Sequence, residues 1–131
     1  MRKFNKKHLT FLLVFSFLIS TNTHSRQSPI EGAENAWNDF AICKNKVLKD
    51  PELQNKIYQS DRLASKRTEA TLIKSSIQLF GEEDTKIMRN TAETRSEFTI
   101  YKSASSYEKR PYQERVENLN SCRRLFEFFR N

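Results

Sequence analysis

Cys43 and Cys122 are the only two cysteines in the sequence, and they stand about 80 positions apart. A redox-active pair usually has close spacing, such as Cys-x-x-Cys, and an accessible, polarised thiolate, and the sequence shows neither feature. In an exported protein, two distant cysteines most simply form a structural disulfide, with free thiols as the alternative. The sequence therefore predicts a crosslink between Cys43 and Cys122.

The two histidines, His8 and His24, both precede Arg26, where we expect a leader peptide to end. A mature chain without imidazole lacks the usual general base of serine and cysteine hydrolases and the histidine pair of a zinc-binding helix. Two cysteines alone do not complete a four-ligand zinc site. The sequence thus predicts a non-catalytic protein that needs no metal and no cofactor.

Glu82, Glu83 and Asp84 are three consecutive acids at the expected start of a helix. Such a cluster can bind a cation, and a pair of carboxylates can hydrolyse glycosides. Acids in a first helical turn are also stabilised by the partial positive charge of the helix N-terminus. We favour this second interpretation, because a small helical domain leaves little room for a catalytic cleft, and keep a carboxylate-only enzyme as a lesser hypothesis.

Residues 1–25 have the order of a secretory signal peptide, with four basic side chains before an apolar run over residues 9–19. This run is too short to cross a bilayer as a helix, which takes roughly 20 residues, and no second apolar run follows it. We predict that the leader is cleaved, in preference to an uncleaved anchor. Residues 26–131 then form a single helical domain that is secreted or periplasmic and has no stable membrane insertion.

Charge is the next constraint on function. The formal net charge of the whole sequence is +7, and loss of the four basic residues of the leader lowers it to +3. Nucleic-acid binding usually requires a larger positive excess with interleaved exposed aromatic residues. We therefore expect no nucleic-acid partner.

Helix start and stop signals divide the mature chain into about four helices. Ser28 before Pro29 predicts the first helix, which runs to about Leu48, and Asp50 before a second proline predicts the next start. Gly81 is a plausible stop. Residues 51–80 form one helix or two, which the sequence leaves open. The predicted fold is all-α, a small bundle with the first and last helices joined by the disulfide.

The remaining two segments differ in how clearly they are marked. The segment over residues 84–108 has a thin apolar stripe, formed by Ile87, Met88, Thr91, Phe98 and Tyr101. We predict a helix there in preference to a strand. Pro111 opens the last helix.

Apolar stripes at helical spacing predict which faces are buried. In the first helix the stripe is Ala36, Phe40, Cys43 and Val47, widened by Trp37; in the last it is Arg115, Leu119, Cys122, Phe126 and Phe129. In the second segment it is Leu53, Ile57, Leu63, Ala70, Ile73, Ile77 and Phe80. We expect all three stripes to face the core, which places both cysteines inward.

The best candidates for a partner-binding surface are Tyr101 and Tyr107, in the polar third segment, and the basic pair Lys109 and Arg110. Tyrosine is a frequent anchor of protein interfaces. The same basic pair is also typical of a solvated face. Tyr112, near an apolar stripe, is expected in the core.

The absence of catalytic signals, together with a stapled helical scaffold, favours a small exported protein that acts by binding another protein, as an inhibitor, an immunity protein or a chaperone-like factor. A secreted effector or toxin that acts on a host or competitor is the alternative, and a homodimer is a further arrangement. The chain is similar in size to the exported helical immunity proteins of bacterial type VI amidase toxins. It also resembles them in having a cysteine in an early helix, at the end of the stretch Trp37-Asn38-Asp39-Phe40-Ala41-Ile42-Cys43.

Overall fold

The computed structural model describes residues 28–102 and 106–130, with the side chains of residues 98–102 left out. Within these ranges every regular element is helical, which confirms the all-α prediction. The four long helices are α1 (Pro29–Ile42), α2 (Gln59–Phe80), α3 (Glu82–Lys102) and α4 (Tyr112–Phe128). The predicted signal peptide, residues 1–25, lies outside the described residues.

Three short helical turns complete the chain. They are a π-helical turn over Cys43–Val47 and two 3₁₀ turns, Pro51–Lys56 and Tyr107–Lys109. The π turn continues α1, and the backbone N–H of Leu48 closes it by donating to the carbonyl of Cys43 at 2.9 Å. The stretch that the sequence left as one helix or two is two elements, a 3₁₀ turn followed by α2.

The helix ends follow the local signals of the sequence. Ser28 caps α1 in a reciprocal capping box with Glu31, at 3.3 and 3.1 Å. Asp50 caps the next turn by accepting from the backbone N–H of Glu52 at 2.9 Å. Gly81 ends α2 with φ +92°, a backbone conformation that other residue types rarely adopt. These caps confirm the predicted boundaries between the first three helices.

Successive helices run antiparallel. The indole Nε1–H of Trp37 in α1 donates to the hydroxyl of Ser76 near the end of α2, at 3.1 Å. At the other end of this helix pair, Arg62 at the start of α2 donates to the carbonyl of Leu48, just after α1. The single residue Gly81 then joins α2 to α3, so that these two helices form a tight hairpin.

The last helix returns along the first. Phe40 of α1 meets Phe126 of α4 with ring centroids 6.5 Å apart, and Cys43 of the π turn is bonded to Cys122 of α4. The later residue of the α1 segment, Cys43, contacts the earlier residue of α4, Cys122, so the two segments are antiparallel. The structure thus confirms the predicted bundle, in which one disulfide joins its first and last helices.

The core lies between the four long helices. Its largest fully buried apolar side chains are Trp37, Phe40, Val47, Leu53, Leu72 and Leu119. The inward faces predicted for the first and last helices are confirmed, except that Arg115 is half-buried and its guanidinium lies at the surface of the core.

Much of the face of α2 that the sequence predicts to be buried is exposed to solvent. Leu63 is 48% exposed and Ile77 is 36% exposed, and Ala70 between them is exposed as well. Ile73 and Phe80, at the edge of the same stripe, are half-buried against the core. The prediction that this stripe faces the core is therefore wrong for Leu63, Ala70 and Ile77.

Small polar residues take the place of that stripe in the interior. The buried face of α2 consists of Asp61, Ser65, Thr68, Leu72, Ser75 and Ser76. Two long-range contacts fix this rotation: Ser76 accepts from the indole of Trp37, and Asp61 accepts from Arg123 of α4. Serine also leaves room for the large indole, so close packing of α1 on α2 favours the polar face.

Helix α3 shows a smaller departure of the same kind. Its buried face contains Met88 and Ala92, whereas Ile87 is 53% exposed and Thr91 is also exposed. The stripe predicted for this segment is thus confirmed at Met88 and wrong at Ile87 and Thr91. The side chains of Phe98 and Tyr101, its other two members, lie outside the described residues. Among the described residues, no helix is both long and apolar enough to span a membrane.

Candidate functional site

The cysteine pair is the first predicted site that the structure settles. The Cys43–Cys122 bond joins Cα atoms 5.7 Å apart, and both residues are buried. A buried disulfide is inert toward exchange, because an attacking thiolate cannot reach it. The predicted structural role of the pair is confirmed.

The residues predicted to bind a partner do not form one exposed surface. Tyr107 is only 5% exposed, and its hydroxyl donates to Asp50 at 2.5 Å, so that the surface contact expected of it does not fit its burial. Lys109 is exposed, and Arg110 is half-buried and donates to the side-chain oxygen of Asn118. The side chain of Tyr101 lies outside the described residues. Tyr112, predicted in the core, is instead exposed.

Tyr107 belongs to a polar group that we call the Asp50 cluster: Asp50, Glu52, Tyr107 and Arg115. The Asp50 carboxylate is 3% exposed and accepts from the Tyr107 hydroxyl and, at 2.7 Å, from Arg115 Nη1. Arg115 also donates to Glu52 through its other terminal nitrogen. The cluster ties the end of the α1 segment to the start of α4, across 65 positions of the sequence.

The electrostatics of the cluster favour a charged Asp50. Burial acts to raise the pKa of Asp50, but the hydrogen bonds from Tyr107 and Arg115 outweigh it and hold that pKa below its usual range. Burial and the neighbouring carboxylate raise the pKa of Tyr107. Three donors, the Tyr107 hydroxyl, Arg115 and the backbone N–H of Glu52, thus hold the Asp50 carboxylate in place.

A pocket of about 360 Å³ lies beside the Asp50 cluster. It is lined by Asn45, Lys46, Lys49, Asp50, Pro51, Glu52, Tyr107, Glu108 and Arg115. Its charges are of both signs and mostly paired: Lys46 lies 3.7 Å from Glu108, and Arg115 holds two carboxylates. In the part of the chain that the structure describes, no group of three acidic, histidine or cysteine side chains is placed to hold a metal ion.

A second buried acid, Asp61, is held in a similar way at the start of α2. Arg123 forms a bidentate pair with it, with both bonds at 2.9 Å, and the backbone N–H of Tyr58 donates to it at 2.8 Å. Burial acts to raise the pKa of Asp61, but these hydrogen bonds lower it below the ordinary value. Asp61 is thus a structural carboxylate that fixes the rotation of α2.

We expect the stability of the fold to fall with pH in acid, in part through Asp61. A carboxyl whose folded pKa lies below its unfolded value of about 3.9 stabilises the fold above that value and loses this effect as the pH falls through the folded pKa. The Asp61→Asn variant should be less stable at pH 7 by about 1 to 2 kcal/mol, and its free energy of unfolding should depend less steeply on pH between about 5 and 2. Urea unfolding across this range measures both effects.

Glu34, an exposed acid of α1, provides the control for this prediction. The Glu34→Gln variant removes one exposed carboxyl in the same way, and its stability at pH 7 should stay within about 0.5 kcal/mol of the parent protein. Equal slopes for the parent and for Asp61→Asn would show that Asp61 keeps an ordinary titration in the folded state.

The consecutive acids of α3 are placed as the favoured interpretation expects. Glu82, Glu83 and Asp84 occupy the first turn of the helix, and all three are exposed. Acids at this position complement the helix dipole. The deep burial without a basic partner that would favour a carboxylate enzyme is not found at these three residues.

The outward face of α2 is the candidate functional site. We call it the α2 seam and define it by its three exposed apolar residues, Leu63, Ala70 and Ile77. The spacing of seven residues keeps them on one side of the helix, and the distance from Leu63 to Ile77 is about 21 Å along the axis. A line of apolar side chains of this length matches the footprint of a partner helix.

The spacing of the seam residues is visible in the sequence, but whether they face the core or solvent is not. The Leu63–Ala70–Ile77 spacing is visible in it, and so is a second stripe at Asp61 and Ser65, which continues along the helix at Thr68, Leu72 and Ser76. Choosing between the stripes requires the partner of Trp37 and the partner of Asp61, which are 39 and 62 positions away. No local signal supplies them.

Comparisons with protein-family models, with curated proteins and with solved structures find no match to this chain. The general resemblance to type VI amidase immunity proteins therefore stays a prediction. The geometry of the described residues alone supports the choice of the α2 seam.

Proposed function

We propose that this protein is a small exported helical protein that acts by binding another protein through the α2 seam. The observation that carries the proposal is the rotation of α2, which buries a row of serine and threonine side chains and leaves Leu63, Ala70 and Ile77 in solvent. Inhibitors, immunity proteins and chaperone-like factors all work through such non-catalytic surfaces.

The energetics support this choice of surface. Burying a leucine or isoleucine side chain contributes about 1.5 to 3 kcal/mol. The isolated chain forgoes about half of this at Leu63, which is 48% exposed, and about a third at Ile77, which is 36% exposed. Single exposed apolar residues are common on protein surfaces. Three in line at heptad spacing, on a helix whose other face is polar, are a local conflict with the fold of the isolated chain, and such conflicts cluster at functional sites.

A binding function also agrees with the chemistry of the two buried acids. Asp50 and Asp61 are the buried carboxylates among the described residues, and each is saturated by arginine and other donors. Asp61 holds α2 against α4, and Asp50 holds the end of the α1 segment against α4.

Export is the second part of the proposal. A disulfide is consistent with an oxidising compartment outside the cytoplasm, and residues 1–25 have the pattern of a cleaved leader. Fractionation with mass determination of the N-terminus tests it. Recovery of a chain that begins near Arg26 in the periplasm agrees with an inhibitor or immunity role, accumulation in the medium favours a secreted effector, and an intact leader in the cytoplasm contradicts export.

Site-specific crosslinking tests the binding surface. A photoreactive amino acid in place of Ala70, at the centre of the seam, should give one discrete crosslinked product in the cells that naturally express the protein. The same amino acid in place of Thr94, an exposed residue of α3, is the matched control and should not give that product. A product that forms equally from both positions would contradict binding at the seam.

We expect the double variant Leu63→Lys and Ile77→Lys to lose this partner with little change in stability. Both side chains are exposed, so the free energy of unfolding should change by less than about 1 kcal/mol. Two charges in the line of contact should weaken binding at least tenfold. Ile87→Lys, at an exposed isoleucine on another helix, should bind normally. Retention of the partner by the double variant would contradict the proposal.

A further inference from the structure

We propose that the partner lays an acidic amphipathic helix along the α2 seam, with an apolar ridge against Leu63, Ala70 and Ile77 and with aspartate or glutamate side chains on both sides of that ridge. This inference rests on the proposed function and specifies the chemistry of the partner. It follows from the charges that border the seam.

The exposed charged side chains of α2 are all basic. At 100° per residue, Arg62, Lys66, Arg67 and Lys74 lie within a quarter turn of the seam, on both sides of it. We call Lys66, Arg67 and Lys74 the basic flank; all three are exposed. Arg62 is half-buried and donates to neighbouring oxygen atoms of the α1–α2 connection.

The two acids of α2 do not neutralise the basic flank. Asp61 lies on the buried face and is paired with Arg123, and Glu69 is paired with Arg89 and Lys44. Within residues 28–102 and 106–130, no ion pair engages the side chains of the basic flank. The flank is thus available to carboxylates supplied from outside, over a stretch of about 12 Å along the helix axis from Lys66 to Lys74.

Acidic groups mark one end of the docking surface. Glu82, Glu83 and Asp84 are exposed in the first turn of α3, just beyond Phe80. They limit the basic stretch to the first two thirds of α2. A partner helix therefore meets positive charge along the Leu63–Lys74 portion of the seam, and its acidic side chains belong there.

A second copy of this chain does not fit the seam. In an antiparallel two-fold pairing about Ala70, Lys66 of one copy lies opposite Lys74 of the other, and in a parallel pairing each basic residue lies opposite itself. Like charges brought together at an interface oppose association. Charge complementarity therefore selects a different chain with acidic flanks over self-association.

The sizes of the seam residues indicate which apolar side chain of the partner fits at its centre. Ala70 is the smallest of the three, and Leu63 and Ile77 stand about 10 Å to either side of it along the axis. The surface is therefore lowest at its centre. A bulky apolar side chain of the partner, such as leucine or phenylalanine, fits against Ala70 as an anchor.

The test uses two helical peptides of equal length as probes, with the same ridge of leucines and with either glutamate or lysine on both sides of it. Fluorescence anisotropy with the purified, oxidised protein should show at least tenfold tighter binding of the glutamate peptide at low salt, with the difference shrinking as salt is added. In the triple variant Lys66→Glu, Arg67→Glu and Lys74→Glu, the preference should reverse.

A charge-matched control separates the seam from the net charge of the protein. The triple variant Lys86→Glu, Lys109→Glu and Arg124→Glu carries the same net charge on exposed positions outside α2, and it should keep the parent's preference for the glutamate peptide. Thermal unfolding by circular dichroism checks that both triple variants fold.

Three results would overturn the inference. The first is equal affinity for the two peptides. The second is self-association of the parent protein that the double variant Leu63→Lys and Ile77→Lys abolishes. The third is binding to vesicles of anionic lipid that depends on the basic flank, together with no preference between the two peptides. If the triple variant Lys66→Glu, Arg67→Glu and Lys74→Glu still binds the partner that crosslinks at Ala70, the inference of an acidic partner is wrong while the proposed function stands. Failure to form any crosslink at Ala70 would instead contradict the proposed function.

Discussion

Removal of the Cys43–Cys122 disulfide, by serine at both positions, is expected to lower the free energy of unfolding by about 4 to 5 kcal/mol. The bond joins residues 79 positions apart, so the oxidised unfolded chain is far more restricted than the reduced one. A loss of this size is a large share of the roughly 5 to 15 kcal/mol that is typical of a domain. Urea unfolding of the parent and of the double serine variant measures it.

Reductant separates this effect from the substitution itself. The parent protein under strong reductant should approach the stability of the serine variant, and the variant should not respond to reductant. A loss below about 1 kcal/mol would show that the helix packing alone holds the bundle and that the crosslink restricts little of the unfolded chain.

The parts of the fold that the sequence predicted correctly depend on local rules. Ser28 and Asp50 cap the elements that follow them because their side chains reach backbone N–H groups two or three residues ahead. Gly81 ends α2 because it tolerates a positive φ. In α1 and α4, the apolar spacing and the position of the cysteine agree, so the inward face was unambiguous.

The rotation of α2 could not be predicted because two stripes compete on one helix. Hydrophobicity alone favours burial of Leu63 and Ile77. The structure instead satisfies the indole of Trp37 at Ser76 and pairs Asp61 with Arg123, and an unsatisfied buried donor or charge costs as much as an apolar side chain gains. The balance depends on partners that are distant in sequence.

Dependence on distant partners also explains why the partner-binding residues predicted from the sequence do not form one exposed surface. Tyr107 stands in a polar segment, and its burial follows from an acceptor 57 positions earlier, Asp50. The sequence assigned Asp50 only a capping role. That role is present, but one oxygen of the carboxylate caps the 3₁₀ turn while the other accepts from Tyr107 and Arg115. The burial of Tyr107 thus depends on a contact that is distant in sequence, which no local pattern predicts.

Substitution of Asp50 should have the second largest effect on stability. In Asp50→Ala the Tyr107 hydroxyl loses its buried acceptor, Arg115 loses one of its two carboxylates, and the cap of the 3₁₀ turn is lost. We expect a loss of about 3 kcal/mol at pH 7, measured by urea unfolding. The lowered pKa of Asp50 implies that its contribution is complete above about pH 4 to 5 and disappears as the pH falls further, so the parent and the variant should converge in stability toward pH 2.

Tyr107 and Glu52 distinguish a coupled cluster from a simple loss of charge. Tyr107→Phe should cost about 1.5 to 2 kcal/mol alone but much less in the Asp50→Ala background, because the two share one hydrogen bond, and a double-mutant cycle measures that coupling. Glu52→Gln removes the exposed partner of the same arginine and should cost well under 1 kcal/mol. Additive effects of Asp50→Ala and Tyr107→Phe would contradict the coupling. The tie between α1 and α4 near the 3₁₀ turn would then depend on the disulfide and apolar packing alone.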